Sequence, residues 1–238
     1  MGKPLSHTMH KIYANIDKNA IDRMPTEHFD GRIITISTVA EADKATKYLE
    51  QFPIIGIDTE TRPNFTRNTH YEVGLLQLST PDTCFLFRLN NIDMPDCVVK
   101  LLSDNKQIKV GLSLKDDIRA LCKRRNFSFG KYIELQKRVQ DIGIQDMSLQ
   151  KIYANIFCKK ISKSKRLTNW NAPTLTKEQK IYAATDAWAC VKIYQQLEKF
   201  RTGLDYEYVA PMNNDRMLDI WIKHITNQIK HPRHVQDH

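Results

Sequence analysis

Three apolar segments, PIIGIDTE (53–60), YEVGLLQLST (71–80) and TCFLFRL (83–89), follow one another along the chain. Only the turn residues Pro81 and Asp82 separate the last two. A parallel crossover needs a dozen or more residues, so short connections of this kind imply strands that fold back as an antiparallel meander. Ahead of the meander, RIITIS (32–37) reads as a strand, and Thr38 with Glu41 forms a capping box for a helix that carries Ala42, Ala45, Leu49 and Phe52 at helical spacing. Behind it the pattern becomes a helix at about 95–104, the strand IKVGL, a helix over 114–125, a short strand near 138–142 and a helix near 148–158. A basic loop, 159–175, leads into a long helix over 177–199, opened by a second capping box, Thr176 to Gln179. A meander followed by alternating helices and strands predicts an α/β fold, a mixed sheet with helices on its faces.

At 238 residues the chain suits one large domain, or one domain with appendages. Residues 1–30 show weak periodicity and read as an N-terminal arm, packed on the domain or trailing from it. Residues 31–200 read as the domain. Residues 201–238 read as an extension with one amphipathic helix (about 213–229) and a polar tail. His224, His231, His234 and His238 cluster in that tail without an acid or cysteine to complete a metal shell, and belong to a flexible terminus. No run of 18 apolar residues is present, which argues against a membrane span and a membrane partner. The start, MGKPLSHTMHKIY, has no apolar core of the kind a signal peptide requires. It matches the Met-Gly-x-x-x-Ser acylation pattern, which is too short and common to carry weight. Five scattered cysteines (Cys84, Cys97, Cys122, Cys158, Cys190) form no Cys-x-x-Cys and read as reduced core thiols of a cytoplasmic protein, or a nuclear one in a eukaryote. No sequence feature specifies an oligomeric state.

Thirty-six Lys and Arg against 27 Asp and Glu leave a net charge of +9, which suits a polyanionic partner. Its distribution is more informative than its total. Lys159, Lys160, Lys163, Lys165, Arg166, Lys177 and Lys180 face a single acid, Glu178, between 159 and 180.

Against that basic background, certain acids sit where apolar pattern predominates. Asp58 and Glu60 end the first meander strand, and the strand period of two points both to one face, with Thr59 and Thr61 on the other. Adjacent carboxylates repel unless a cation or a shared proton neutralises them. A strand that simply ends in solvent would also carry such acids, so Asp-x-Glu alone decides nothing. In VGLSLKDDIRAL the buried face of the helix is set by Leu114, Ile118, Leu121 and Cys122. Asp117 lies along that face, while Asp116 points nearly opposite. Favourable interaction with the helix dipole would account for either aspartate equally well. On the long helix, Tyr182 and Asp186 stack at i and i+4 and continue as Cys190, Ile193 and Leu197, which places a carboxylate within an apolar stripe. A structural Tyr-to-Asp hydrogen bond would be the plain explanation. Together, however, Asp58, Glu60, Asp117 and Asp186 are four hard oxygen donors without a His or Cys cluster, a set that favours Mg²⁺ or Mn²⁺ over zinc. An acidic pocket in a basic protein is the arrangement two-metal phosphodiester hydrolysis requires.

Asp58-x-Glu60, Asp117 in VGLSLKDD and Tyr182-x-x-x-Asp186 resemble the three motifs of the DEDDy 3′–5′ exonucleases, a family of the ribonuclease H-like superfamily. Residues 167–194, LTNWNAPTLTKEQKIYAATDAWACVKIY, are especially similar to the Werner-type exonuclease domains of that family. The likeness runs from about 32 to 200. It implies a ribonuclease H-like mixed sheet over an exonuclease domain at 31–200, and a pair of divalent ions. Asp58 would bridge both ions, Glu60 and Asp186 would complete the first site, and Asp117 would hold the second mainly through water. Tyr182 would position and help deprotonate the attacking water. The implied reaction removes 5′-mononucleotides from the 3′ end of a nucleic acid, DNA in the leading reading and RNA in the alternative. Ser113 departs from the family, some of whose members have asparagine there.

Substrate contacts are expected from Arg62, two residues past Glu60, and from Lys163, Lys165 and Arg166 in the basic loop. Trp170, in the same loop, is placed either to stack on a terminal base or to pack the loop onto the sheet. The competing expectation from another class is a catalytically silent ribonuclease H-like module that binds nucleic acid or protein. Such a module would have no need of unpaired buried carboxylates.

Overall fold

The meander forms the middle of a six-stranded sheet in the computed structural model, which describes residues 10–64, 71–203 and 206–209. The chain begins with β1 (His10–Tyr13), α1 (Lys18–Asp22), β2 (Arg32–Ile36) and α2 (Val39–Leu49). The meander strands β3 (Ile54–Thr61), β4 (Val73–Ser79) and β5 (Thr83–Arg88) follow, then α3 (Leu89–Ile92), α4 (Asp96–Ser103) and β6 (Ile108–Gly111). Next come α5 (Leu114–Arg124), β7 (Tyr132–Glu134), α6 (Leu135–Gln140) and α7 (Leu149–Phe157). The long helix α8 (Lys177–Arg201) and β8 (Tyr206–Val209) complete the described chain. The sheet order is β2-β5-β4-β3-β6-β7. The β3–β4 and β4–β5 pairs are antiparallel, and β2–β5, β3–β6 and β6–β7 are parallel. This is the mixed α/β sheet expected from the sequence.

Strand alternation divides the core between the two faces. Ile55, Ile57, Leu76, Leu78, Phe85 and Phe87 pack under α2, α4 and α5 through Ala45, Leu49, Val98, Leu102, Leu114 and Leu121. On the other face, Leu75, Cys84 and Leu86 meet Tyr182, Ala183 and Ala184 of α8 and Trp170 of the loop before it. Both capping boxes are present, Thr38 with Glu41 and Thr176 with Gln179. Helix α8 lies flush on the sheet because β3 carries glycine at the contact: a Cβ on Gly56 would sit 2.0 Å from the Ala187 carbonyl oxygen. None of the described helices is long and apolar enough to cross a membrane.

One expected element is wrong. The segment near 138–142 is not a strand: Leu135 and Val139, four apart and both fully buried, make one face of the short helix α6, and the strand is β7 just before it. The described part of the N-terminal arm is packed on the domain. β1 pairs in parallel with β8, and Tyr13, Ile16, Ala20, Ile21 and Met24 are buried against Ala154, Cys158 and Val209. Glu27 then anchors the arm to α8 and to the segment after α7, accepting from Lys192 at 3.0 Å and Lys159 at 2.7 Å. The acylation pattern, the amphipathic helix near 213–229 and the tail histidines lie outside the described residues.

Candidate active site

Strand β3 pairs with β6 only as far as Gly56–Val110, so from Ile57 onward its β6 edge has no strand beside it. Asp58 and Glu60 occupy this free end, on the face that carries α8. Because α8 is seated so closely at Gly56, Asp186 falls opposite them, and one carboxylate oxygen from each of Asp58, Glu60 and Asp186 lies within 4.8 Å of the others. Tyr182, one turn earlier, is hydrogen-bonded to Asp186. Cys190, one turn later, lines the same cleft.

Asp117 acts on Asp58 and Glu60 electrostatically from the other side of the sheet, outside the group of three carboxylates and the residues that line their cleft. Helix α5 covers the face to which Thr59 points, and Thr59 Oγ1 donates a short hydrogen bond to Asp117 Oδ1. Asp116 is turned to solvent and pairs with Arg119 at 2.9 Å. The start of α5 is held by a residue distant in sequence. Ser113 adopts a left-handed conformation (φ 60°) and its side chain does not cap the helix. Instead, Glu134 on β7 accepts from the Ser113 and Leu114 backbone N–H groups at 2.9 and 2.8 Å. Asparagine tolerates left-handed backbone better than most residues, which gives a physical reason for its use by some family members at the position of Ser113. The other end of α5 is fixed by Arg124, which donates to the carbonyls of Val73 and Leu89 at 3.0 and 2.7 Å.

Electrostatics mark the four acids as strongly perturbed. Burial, then the nearby Asp186, Asp117 and Glu60, pushes Asp58 well above the ordinary carboxylate range. Burial, Asp186 and Asp117 push Glu60 up to about 9, against an opposing pull from Arg166. Burial raises Asp186 to about 7, although the Tyr182 hydrogen bond and Lys163 act the other way. Burial also raises Asp117, opposed by Thr59. The Tyr182 hydroxyl is raised by burial and by Asp186 and Glu60. Carboxylates crowded in this way retain protons unless multivalent positive charge is supplied. Oxygen-only donors at this spacing suit a hard divalent cation, so the residues fit the ions implied by the sequence motifs.

Asp58, Glu60 and Asp186 open into a cleft of about 780 Å³, in the range of small-molecule sites. Lys163 and Arg166 line it, as do Met147 and Leu167, two apolar side chains left 40% and 62% exposed at its wall. The other expected substrate contacts are placed differently. Lys165 lines a separate depression with Thr168, Asn169 and Gln179. Arg62 is exposed, its guanidinium 4.7 Å above the Tyr71 ring. Trp170 is wholly buried, 5.9 Å from the Tyr182 ring, with Nε1 directed at the Arg166 carbonyl. Of the two roles considered for Trp170, base stacking is excluded in this conformation because no ring face is accessible, and it instead packs the loop beneath Tyr182. Thr59, Glu134, Met147 and Leu167 were not anticipated. Thr59 was legible in retrospect as the one polar side chain between two acids, whereas Glu134 carries no local signal.

Residues 33–200 match the sequence profile of a family described as 3′–5′ exonuclease. The mouse bifunctional 3′–5′ exonuclease/ATP-dependent helicase WRN is 27% identical over 186 residues, covering 74% of this chain and 13% of that protein. Human exonuclease 3′–5′ domain-containing protein 2 is 29% identical over 183 residues, covering 70% of this chain and 29% of its own length. The chain therefore spans less than a third of these two relatives. Among solved structures, the Aedes aegypti Nibbler EXO domain superposes with a TM-score of 0.68 at 19% identity, over 83% of this chain and all of that one. At that identity the likeness shows a shared ribonuclease H-like fold.

Proposed function

The chain belongs to the 3′–5′ exonuclease family, and from that premise we propose that the cleft of Asp58, Glu60, Asp117 and Asp186 removes mononucleotides one at a time from the 3′ end of DNA. The observation that carries this reading is the convergence of three carboxylates within 4.8 Å, Glu60 and Asp186 buried and Asp58 half-buried, in a cleft that also presents Lys163 and Arg166. Asp58, Glu60 and Asp186 would hold one Mg²⁺ or Mn²⁺ and Asp58 with Asp117 a second. When bound, the ions neutralise the carboxylates, polarise the scissile phosphodiester and lower the pKa of water.

The chain's own residues do the rest. Tyr182, hydrogen-bonded to Asp186, orients the attacking water and assists loss of its proton. The water oxygen bonds to phosphorus as the bond to the 3′ oxygen of the preceding nucleotide breaks, releasing a 5′-mononucleotide. Lys163 and Arg166 counter the charge of the terminal phosphates. Met147 and Leu167 give the departing base an apolar surface, the role that stacking on Trp170 would have filled. DNA as substrate follows from the Werner-type resemblance of residues 167–194. RNA is the alternative.

The test is incubation of 5′-labelled DNA and RNA of one sequence with the protein in Mg²⁺ or Mn²⁺, beside a 3′-blocked control. A ladder shortening from the free 3′ end of DNA is expected. Tight binding without cleavage in either metal would support the silent module instead, and degradation of RNA alone would reverse the substrate assignment.

A further inference from the structure

Gln77 occupies the middle of β4, wholly buried, and neither its Nε2 nor its Oε1 has a hydrogen-bond partner. Buried side-chain amides without partners are rare in folded proteins, and each calls for a physical reason. Its register supplies one. Gln77 stands directly opposite Asp58 across the β3–β4 ladder, and residues directly opposed in a ladder project to the same face with their Cβ atoms about 5 Å apart. The amide therefore lies under α8, beside the buried side of Asp58. Its other cross-strand neighbour is Leu86, and Leu75 precedes it on the same face of β4. Leu75 and Leu86 belong to an apolar cluster with Ala183 and Ala184, and Ser79, next on that face of β4, donates its hydroxyl to the Thr80 carbonyl, so Asp58 is the carboxylate placed to receive the amide. A hydrocarbon side chain of similar size would fill the same space without an unpartnered amide.

We propose that Gln77 is a positioning residue for Asp58. Its Nε2–H donates to Asp58 when that carboxylate holds a cation, which fixes the rotamer in which Asp58 offers its remaining lone pairs to the cleft. The inference rests on the reading of Asp58 as a cation ligand. Outer hydrogen bonds that orient a ligating group commonly change metal affinity by roughly 10–100-fold.

The test compares wild type with Gln77→Met, which keeps length and volume, and with Leu76→Met on the opposite face as a packing control. Mn²⁺ affinity is measured by titration calorimetry, and thermal unfolding is followed in EDTA. Gln77→Met is expected to unfold in EDTA at or above the wild-type temperature yet bind Mn²⁺ at least tenfold more weakly, with Leu76→Met binding as wild type does. Wild-type affinity in Gln77→Met would overturn the proposal alone, as would a fall in EDTA stability larger than that of Leu76→Met, because that outcome marks a packing role. Absence of Mn²⁺ binding by wild type would overturn the functional reading and this proposal together.

Discussion

Replacing Glu60 with glutamine should stabilise the cation-free protein. Glu60 titrates near 4.5 when unfolded and at about 9 in the folded chain. The folded state therefore binds more protons throughout that window, and by linkage its stability falls as pH rises through it. At pH 7.5 the folded chain must hold a proton that the unfolded chain has lost, three pH units above the ordinary value. At about 1.4 kcal/mol per unit this sets an upper bound of ~4 kcal/mol. Asp58 and Asp186 share the same repulsion, and the glutamine amide has its own burial cost, so a net gain of ~1–3 kcal/mol is the working figure. For a chain of this size that raises Tm by roughly 2–10 °C. The assay is thermal and urea unfolding in EDTA at a series of pH values from about 5 to 9. Wild type should lose stability as pH rises, and Glu60→Gln should lose it less steeply. With Mn²⁺ in excess the order should reverse, because the variant lacks a ligand. Wild-type stability in EDTA that is flat or rises across this range would refute the reasoning, and so would a variant less stable than wild type there.

Tyr182→Phe should lower single-turnover cleavage by roughly 10²–10⁴-fold with substrate affinity held; normal turnover in a protein destabilised by ~1–3 kcal/mol would instead identify a purely structural hydrogen bond. Glu134→Ala leaves the Ser113 and Leu114 N–H groups without their acceptor, and denaturant unfolding should show a loss of ~1–3 kcal/mol, with Glu134→Gln milder because it keeps one carbonyl oxygen. Gly56→Ala drives a methyl into the Ala187 carbonyl, so a loss of about 3 kcal/mol or more is expected, together with weaker Mn²⁺ binding as α8 is pushed off β3.

Much of this architecture was readable because it is local. The two capping boxes set helix starts within four residues, and the period of two in IIGIDTE placed Asp58 and Glu60 on one face. Helix phase around Leu114 and Leu121 separated Asp117 from Asp116, and in the structure Asp117 accepts from Thr59 on β3 while Asp116 is turned to solvent with Arg119. What escaped is non-local or chemically ambiguous. Glu134 acts on α5 from 20 residues away, and β1 finds its partner in β8, nearly 200 residues further on. An aromatic in a basic loop looks the same in sequence whether it packs or stacks, and burial alone identified Trp170 as packing. Leu135 and Val139 fit a helical period, but the run that contains them is too short to separate from a strand by pattern. The orphaned amide of Gln77 was invisible because an alternating strand admits a polar residue on either face.

Single-turnover digestion of a 5′-labelled DNA strand tests most directly whether Asp58, Glu60, Asp117 and Asp186 make this chain a cation-dependent exonuclease. Wild type, Asp58→Asn, Asp117→Asn and Asp116→Asn would be compared in Mn²⁺ and in EDTA, with each protein shown to be folded. Wild type and Asp116→Asn should shorten the strand stepwise from its 3′ end in Mn²⁺ and leave it intact in EDTA. Asp58→Asn and Asp117→Asn should be slower by more than about a hundredfold, a loss of ~3 kcal/mol of transition-state stabilisation. A folded wild-type protein that binds Mn²⁺ yet leaves the 3′ end untouched, or an Asp58→Asn protein that digests it at the wild-type rate, would contradict the claim.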